Sequence, residues 1–229
     1  GGGGGLGGAP RGGRGGAPPP GAAPPAAPAP RGGGGATARR PGVAMNAAGT
    51  AVVAWWESGV MAVRRAPGGA LAAPVPLSQP GGAGPSPAPP VLAVSASGRV
   101  VAAWRRVADG RARVEGAAGA PDGTWSRAIL SPAAARSAGR PALAGNADGA
   151  AIVAWSQPAG RSLATIRARV FLSGLRTFGD VETLSGPRGR GTAPAVGIDA
   201  AGRAVAAWRS DPLGGPGRSF RGAIRRAIP

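Results

Sequence analysis

Beyond residue 40 the apolar residues of this chain gather into short runs that end in tryptophan, and one such run recurs. Residues 146–155 read NADGAAIVAW, and the unit around them occurs at 41–55 (PGVAMNAAGTAVVAW), 90–104 (PVLAVSASGRVVAAW), 141–155 (PALAGNADGAAIVAW) and 194–208 (PAVGIDAAGRAVAAW). Each copy opens with Pro and closes with Trp fourteen residues later, with no insertion or deletion. Successive prolines lie 49, 51 and 53 residues apart. Self-similarity at such a period marks a repeat architecture.

The unit reads as a β-hairpin. Pro sits at the strand start, where its missing N–H does least harm. A short first strand follows, 43–45 in the first copy and 196–198 in the fourth. The turn has Asn46, Ser95, Asn146 or Asp199 in front and Gly49, Gly98, Gly149 or Gly202 behind. A short polar side chain that bonds its own backbone, then a glycine that tolerates positive φ, is type I turn chemistry. The returning strand, 51–55 in the first copy, places Val52 and Ala54 on one face and Ala51, Val53 and Trp55 on the other. Both faces are apolar, so the strand is expected to be covered on both sides.

Two further strands follow each Trp. Residues 111–115 and 166–170 alternate Arg with apolar residues, the pattern of a half-solvated strand. Leu71, Trp125 or Phe178 then precedes a segment ending Leu77-Ser78, Leu130-Ser131 or Leu184-Ser185. The chain thus predicts an all-β fold of four-stranded repeats of about 50 residues, at 41–89, 90–140, 141–193 and 194–229, the last incomplete. Inner strands covered on both faces suit the blades of a β-propeller. The expectation is a partial propeller, three and a half blades of a longer one. A four-bladed ring ranks second, and a β-sandwich or open solenoid third.

The unit resembles the propeller repeats of exported proteins from high-GC bacteria and, more loosely, sialidase-like propellers. The resemblance runs from residue 41 onward and is specific for the repeat rather than for an activity. Sialidase-like blades carry an Asp-box with its aromatic residue three positions after the Gly, whereas Trp here lies six after. Sialidases use a Tyr nucleophile, and this sequence has no Tyr. The resemblance therefore carries over no catalytic residue. It implies an extracellular or cell-surface bacterial protein, although no signal peptide is visible in this chain.

Composition changes the picture at one end. Leu, Ile, Val and Phe make up about one residue in six, below the roughly 20% of ordinary folded chains. The shortage is concentrated in residues 1–40, nearly all Gly, Ala, Pro and Arg, with Leu6 the only large aliphatic. Such a stretch buries too little to offset the entropy of ordering it and is expected to be a disordered tail. Arg-Gly-Gly triplets at Arg11, Arg14 and Arg31 resemble RNA-binding segments but lack interleaved aromatics. Nucleic acid is accordingly not a favoured partner. All 27 basic residues are Arg, and the net charge is +18. GC-rich codons account for this charge without any polyanionic partner. No apolar run is long enough to span a membrane.

The candidate chemistry is sparse. With no His or Cys, the usual transition-metal sites and His-based triads are excluded. The nine acids are Glu57, Asp109, Glu115, Asp122, Asp148, Asp180, Glu182, Asp199 and Asp211, and none recurs where the repeat would aim it at a common cavity. Asn146-Ala-Asp148-Gly149 looks like the start of a calcium loop, but the remaining acidic ligands are missing. The recurring Trp reads as core packing. Differences between copies are more informative. Trp56, Arg105 and Arg209 occupy the same place after the motif Trp and would form a basic, partly aromatic mouth for an anionic glycan or a protein. The sequence thus predicts a non-enzymatic binding or scaffold segment with no catalytic residue, metal or cofactor. Its alternatives are an inactive part of a propeller glycoside hydrolase, and a nucleic-acid-associated protein acting through its Arg-Gly tail.

Overall fold

A computed structural model describes residues 1–2, 37–84, 87–132, 137–160, 163–186, 189–211 and 219–225. Most of the expected tail, with its three Arg-Gly-Gly triplets, lies outside the described residues.

Each copy of the repeat builds one antiparallel sheet. The first is β1 (Arg39–Met45), β2 (Ala51–Trp56), β3 (Val60–Arg65) and β4 (Val75–Pro76), side by side in chain order. The second is β5 (Val91–Val94), β6 (Val100–Ala108), β7 (Arg111–Gly119) and β8 (Trp125–Ile129). The third is β9 (Ala142–Gly145), β10 (Ala151–Pro158) and β11 (Ala164–Leu172), with the short strands β12 (Thr177–Phe178) and β13 (Glu182–Thr183) both on β11. The fourth is β14 (Arg190–Ile198), β15 (Ala204–Asp211) and β16 (Ser219–Arg225). A parallel pairing, Ala164 with Arg190, joins the last two sheets. The first strands pack against one another in the order β1, β5, β9, β14, so they share an axis and the sheets radiate from it. The fold is all-β and of propeller type, as expected.

The turn chemistry is as the sequence implies. Gly49, Gly98, Gly149 and Gly202 take φ of 88, 81, 92 and 75°. Each turn closes with the glycine N–H donating to the carbonyl of the first turn residue, for example Gly49 to Asn46 at 3.0 Å. In the first and fourth blades the first strand continues upstream through the motif proline. The missing N–H of Pro41 and Pro194 is accommodated by a bulge, with the preceding Arg40 and Ala193 at φ of 53 and 48°.

Packing between blades follows one rule. The forward face of a blade, carrying Val52, Ala54 and Trp56 in the first, meets the rear face of the next, carrying Ala102 and Trp104 with Leu92. Ala103 and Val91 likewise pack on Val153, Trp155 and Leu143, and Ile152 and Ala154 pack on Ala204, Ala206 and Trp208. The motif tryptophans Trp55, Trp104, Trp155 and Trp208 are between 0 and 6% exposed, which makes them core packing. Ala54, Ala103 and Ala154 on the facing strands leave room for the indoles of Trp104, Trp155 and Trp208.

The Leu-Ser segments clamp the third strand of a blade. Leu77, Leu130 and Leu184 donate their backbone N–H to the carbonyls of Val60, Val114 and Ile166 at 2.7, 2.8 and 2.8 Å. The following serine hydroxyls accept from the N–H groups of those same residues, at 2.8, 3.1 and 2.8 Å. The alternation expected for residues 111–115 and 166–170 holds, with Arg111, Arg113, Glu115, Arg167 and Arg169 the less buried positions, and it ends beyond residue 115. Ala112 and Val114 are buried beside an exposed Arg111, whereas Gly116, Ala117 and Ala118 are all buried.

Candidate functional site: a cleft across three blades

The turns at the axis tie neighbouring blades together. Asn46 Nδ2 donates to the Ser95 carbonyl at 2.7 Å, and Asn146 Nδ2 donates to the Asp199 carbonyl at 3.2 Å. Ser95 has no amide to offer, and the backbone N–H of Ala96 donates to Ala147 O at 2.8 Å instead. The same asparagines also accept within their own turns, Asn46 Oδ1 from Thr50 N at 2.9 Å and Asn146 Oδ1 from Ala150 N at 3.0 Å. Asn146 is thus fully occupied as a structural side chain. Asp148 is exposed in the turn, which disposes of the calcium-loop likeness. Among the described residues no group of three or more acidic side chains is placed to hold a metal ion.

At the opposite, tryptophan-bearing end of the blades lies a polar cleft of about 390 Å³. It spans the second, third and fourth blades, and its walls include Arg105, Ser137, Arg140, Ser156, Arg190 and Thr192. Arg105 follows Trp104 on β6, and its Nε donates to Ala138 O at 2.8 Å. Its pKa is lowered, first by burial of the guanidinium and then by repulsion from Arg140. Arg140 sits on the link between blades. That link is held by Ala138 N–H on Ala112 O and Gly139 N–H on Ser156 O, both at 2.8 Å. A Cβ at Gly139 would meet Ser156 Oγ, so a larger residue at this crossing would turn that hydroxyl aside. Arg190 begins β14, with its backbone set between Ala164 and Asp211. Thr192, two residues on, has a buried Oγ1 without a hydrogen-bond partner.

No Asp or Glu lines this cleft among the described residues. Glu57 and Glu115 accept from the indole N–H groups of Trp55 and Trp104 at 3.3 and 3.1 Å, and Glu115 also pairs with Arg106 at 3.5 Å. Asp211 pairs with Arg209 at 3.5 Å. Asp199 meets Arg203 at 2.7 Å, and that side chain, then its backbone N–H, holds the Asp199 carboxyl below the usual range. Glu57 and Glu115 thus brace tryptophans, Asp199 braces a turn, and Asp211 pairs along its own strand.

The three expected ligand residues share a register position but not a site. Arg105 lines the cleft. Trp56 is 1% exposed, packs with Trp104 between the first two blades and donates its indole N–H to Ala88 O at 2.9 Å. It offers no free ring face to a sugar, although Ala88 belongs to the cleft wall. Arg209 lies on the forward side of the fourth blade, outside the lining and engaged with Asp211. Sequence reasoning missed Arg140, Arg190 and Thr192. All three lie in or beside the links between blades, which vary in length; the faint signal available is an Arg directly before a motif proline at Arg40 and Arg140.

No protein-family model matches the sequence, and no curated protein is similar to it. Solved structures are similar to it in fold. One is a protein of unknown function from Dyadobacter fermentans, with a TM-score of 0.53 and 13% identity, covering 83% of this chain and 61% of that one. Another is the α-L-arabinofuranosidase of Fusarium graminearum in complex with arabinobiose, with a TM-score of 0.49 and 14% identity, covering 82% and 62%. A third is the intramolecular trans-sialidase from Ruminococcus gnavus, with a TM-score of 0.43 and 14% identity, covering 76% and 39%. This chain thus spans about three-fifths of the length of the first two. These likenesses correct the expectation of a non-enzymatic binding or scaffold segment: the similar structures whose names state an activity are arabinanases, an arabinofuranosidase, a galactanase and a trans-sialidase, all of them glycoside-acting enzymes.

Proposed function

We propose that this chain is part of a β-propeller glycoside hydrolase and that its cleft holds an anionic sugar of the substrate. The observation that supports this reading is the meeting of Arg105, Arg140 and Arg190 in one polar cleft that has no carboxylate in its lining among the described residues. Three arginines lining one cleft, with no carboxylate among its described lining residues, favour a ligand that brings its own negative charge. Most inverting and retaining glycosidases use two facing carboxyl groups, and no Asp or Glu lines this cleft among the described residues, so the role proposed for the cleft is to hold the substrate. An exported location, and kinship with the exported propeller repeats that the sequence resembles, belong to the same proposal.

Calorimetric titration tests it, using oligogalacturonate against neutral arabino-oligosaccharide of equal length. The anionic glycan should bind more tightly, and raised salt should weaken it. Exchanging the exposed Arg140 and Arg190 together for Ala should lower the affinity at least about tenfold, the scale of hydrogen bonds to charged groups. Equal binding of the neutral glycan, or an unchanged affinity in the double variant, would refute the proposal. Reducing-sugar release is followed on the same glycans; release that survives the double substitution places the reaction outside this cleft.

A further inference from the structure

One aromatic residue of the repeat is not used as its counterpart is. Trp125 of β8 and Phe178 of β12 hold the same place in the second and third blades and pair with Gly119 and Phe171. Phe178 meets the fully buried Phe171 edge-on, with ring centroids 5.1 Å apart. Gly119 offers Trp125 no such ring. A Cβ at Gly119 would lie 3.0 Å from each of Cε3, Cζ2 and Cη2 of the indole, so the six-membered ring lies flat on the Gly119 backbone. The indole is half-buried and lines a hollow of about 270 Å³ between the first two blades. With one face on its own sheet, the ring turns the other to the hollow, across from Ala62, Ala72 and Ala73 of the first blade. The indole N–H groups of Trp55, Trp56, Trp104 and Trp155 all donate within the protein, whereas that of Trp125 has no partner among the described residues. Two polar side chains complete the lining. Arg64 is held by its Nη1 on Ala120 O at 2.8 Å. Asp122 is exposed and accepts from Thr124 N and Oγ1 on Oδ1 alone, at 2.8 and 2.7 Å, which leaves Oδ2 to a ligand.

We propose that this hollow binds a neutral β-linked hexopyranose residue of a glycan, stacked on Trp125. An apolar ring face with a free donor at its edge suits a ligand that is apolar on one side and hydroxylated around its rim. The chair of a β-linked glucose residue is such a ligand. Its axial C–H groups lie on the indole, and its equatorial hydroxyls meet the Trp125 N–H, the Asp122 carboxylate and the Arg64 guanidinium. The opposite charges of Arg64 and Asp122 suit hydroxyl groups rather than an ion, and the carboxylate repels a phosphate-bearing or acidic ligand. The small side chains of Ala62, Ala72 and Ala73 leave the space the sugar ring fills. The hollow lies at the end of the blades that bears the repeat turns, with Arg64 beside Gly98, and so opposite the Arg105 cleft. This site goes beyond the reading of that cleft and holds whether or not the cleft takes an anionic sugar.

Heteronuclear NMR of the whole chain titrated with cellotetraose provides the test. The Trp125 indole N–H resonance, assigned by its absence from Trp125→Phe, should shift and saturate, while those of the internally bonded indoles move little. Trp125→Ala should weaken binding at least about tenfold, and Trp125→Phe, which keeps a ring face, should retain most of it. Trp125 also packs against the core, so a second variant guards against misfolding. Ala72→Leu adds bulk to the hollow at an exposed position and should weaken binding similarly while keeping the wild-type unfolding midpoint. Joint exchange of Arg140 and Arg190 for Ala should leave cellotetraose binding unchanged. Arabino-oligosaccharide, built of five-membered rings, should shift the Trp125 resonance far less. A Trp125 resonance that stays still at saturating cellotetraose overturns the proposal. Undiminished affinity in Trp125→Ala or Ala72→Leu, or binding lost with Arg140 and Arg190, overturns it too. An equal response to arabino-oligosaccharide, or a shift given by a single-stranded oligonucleotide and not by the sugar, would assign the hollow to a different ligand.

Discussion

Replacing Asn146 tests whether one side chain both closes its own turn and fastens two blades. Its Oδ1 accepts from Ala150 N at 3.0 Å, and its Nδ2 donates to Asp199 O at 3.2 Å. Serine separates these roles, because Ser95 in the second blade already accepts from Arg99 N at 3.0 Å through its hydroxyl. Asn146→Ser should keep the turn and lose the bond between blades. The Asp199 carbonyl still accepts from Gly202 N, so no acceptor is orphaned and the loss is about 1 kcal/mol. Asn146→Ala removes both bonds and leaves the N–H of the buried Ala150 without its side-chain acceptor, which adds about 1–3 kcal/mol. Urea unfolding followed by tryptophan fluorescence measures the difference. With an m-value of roughly 2–3 kcal/mol/M, the midpoint should fall by about 0.4 M for the serine variant and by about 1 M for the alanine variant. A serine variant that unfolds with wild type would refute the bond between blades. An alanine variant no weaker than the serine variant would refute the turn role.

Two other consequences follow from the hydrogen bonding. Ser131→Ala leaves the N–H of fully buried Val114 without an acceptor; at about 2 kcal/mol, Tm should drop by roughly 4–8 °C, and a drop within error would remove the clamp role of the Leu-Ser segments. Asp199, whose folded pKa is depressed by Arg203, contributes stability above the ordinary carboxylate range near 4 and loses it as pH falls through the lower folded value. Thermal melts from neutral pH to about pH 2 should therefore show a shallower acid loss for Asp199→Asn than for wild type, and superimposable slopes would contradict this linkage.

Much of the architecture is legible from short-range pattern. The Pro-to-Trp copies predict the hairpins, the turn glycines and the buried tryptophans, because each depends on neighbours within fifteen residues. The two apolar faces of residues 51–55 imply covering layers, and the structure supplies them in the middle blades. In the fourth blade, the same apolar alternation leaves Val205 and Ala207 exposed, since burial depends on what packs on that face.

The candidate site was less readable. Trp56, Arg105 and Arg209 have one position in the repeat, yet one fills a core, one lines a cleft and one faces outward beside an acid. Their fates are set by what the adjacent blade presents, which the local sequence does not encode. Arg140 and Arg190 are 50 residues apart in sequence and meet in the cleft only because successive blades turn about a common axis. The sequence alone determined the repeating blade, through periodicity and turn chemistry acting over a few residues. Only the tertiary structure decided which arginines share a cleft and which apolar faces stay open, because both depend on contacts between blades far apart in the chain.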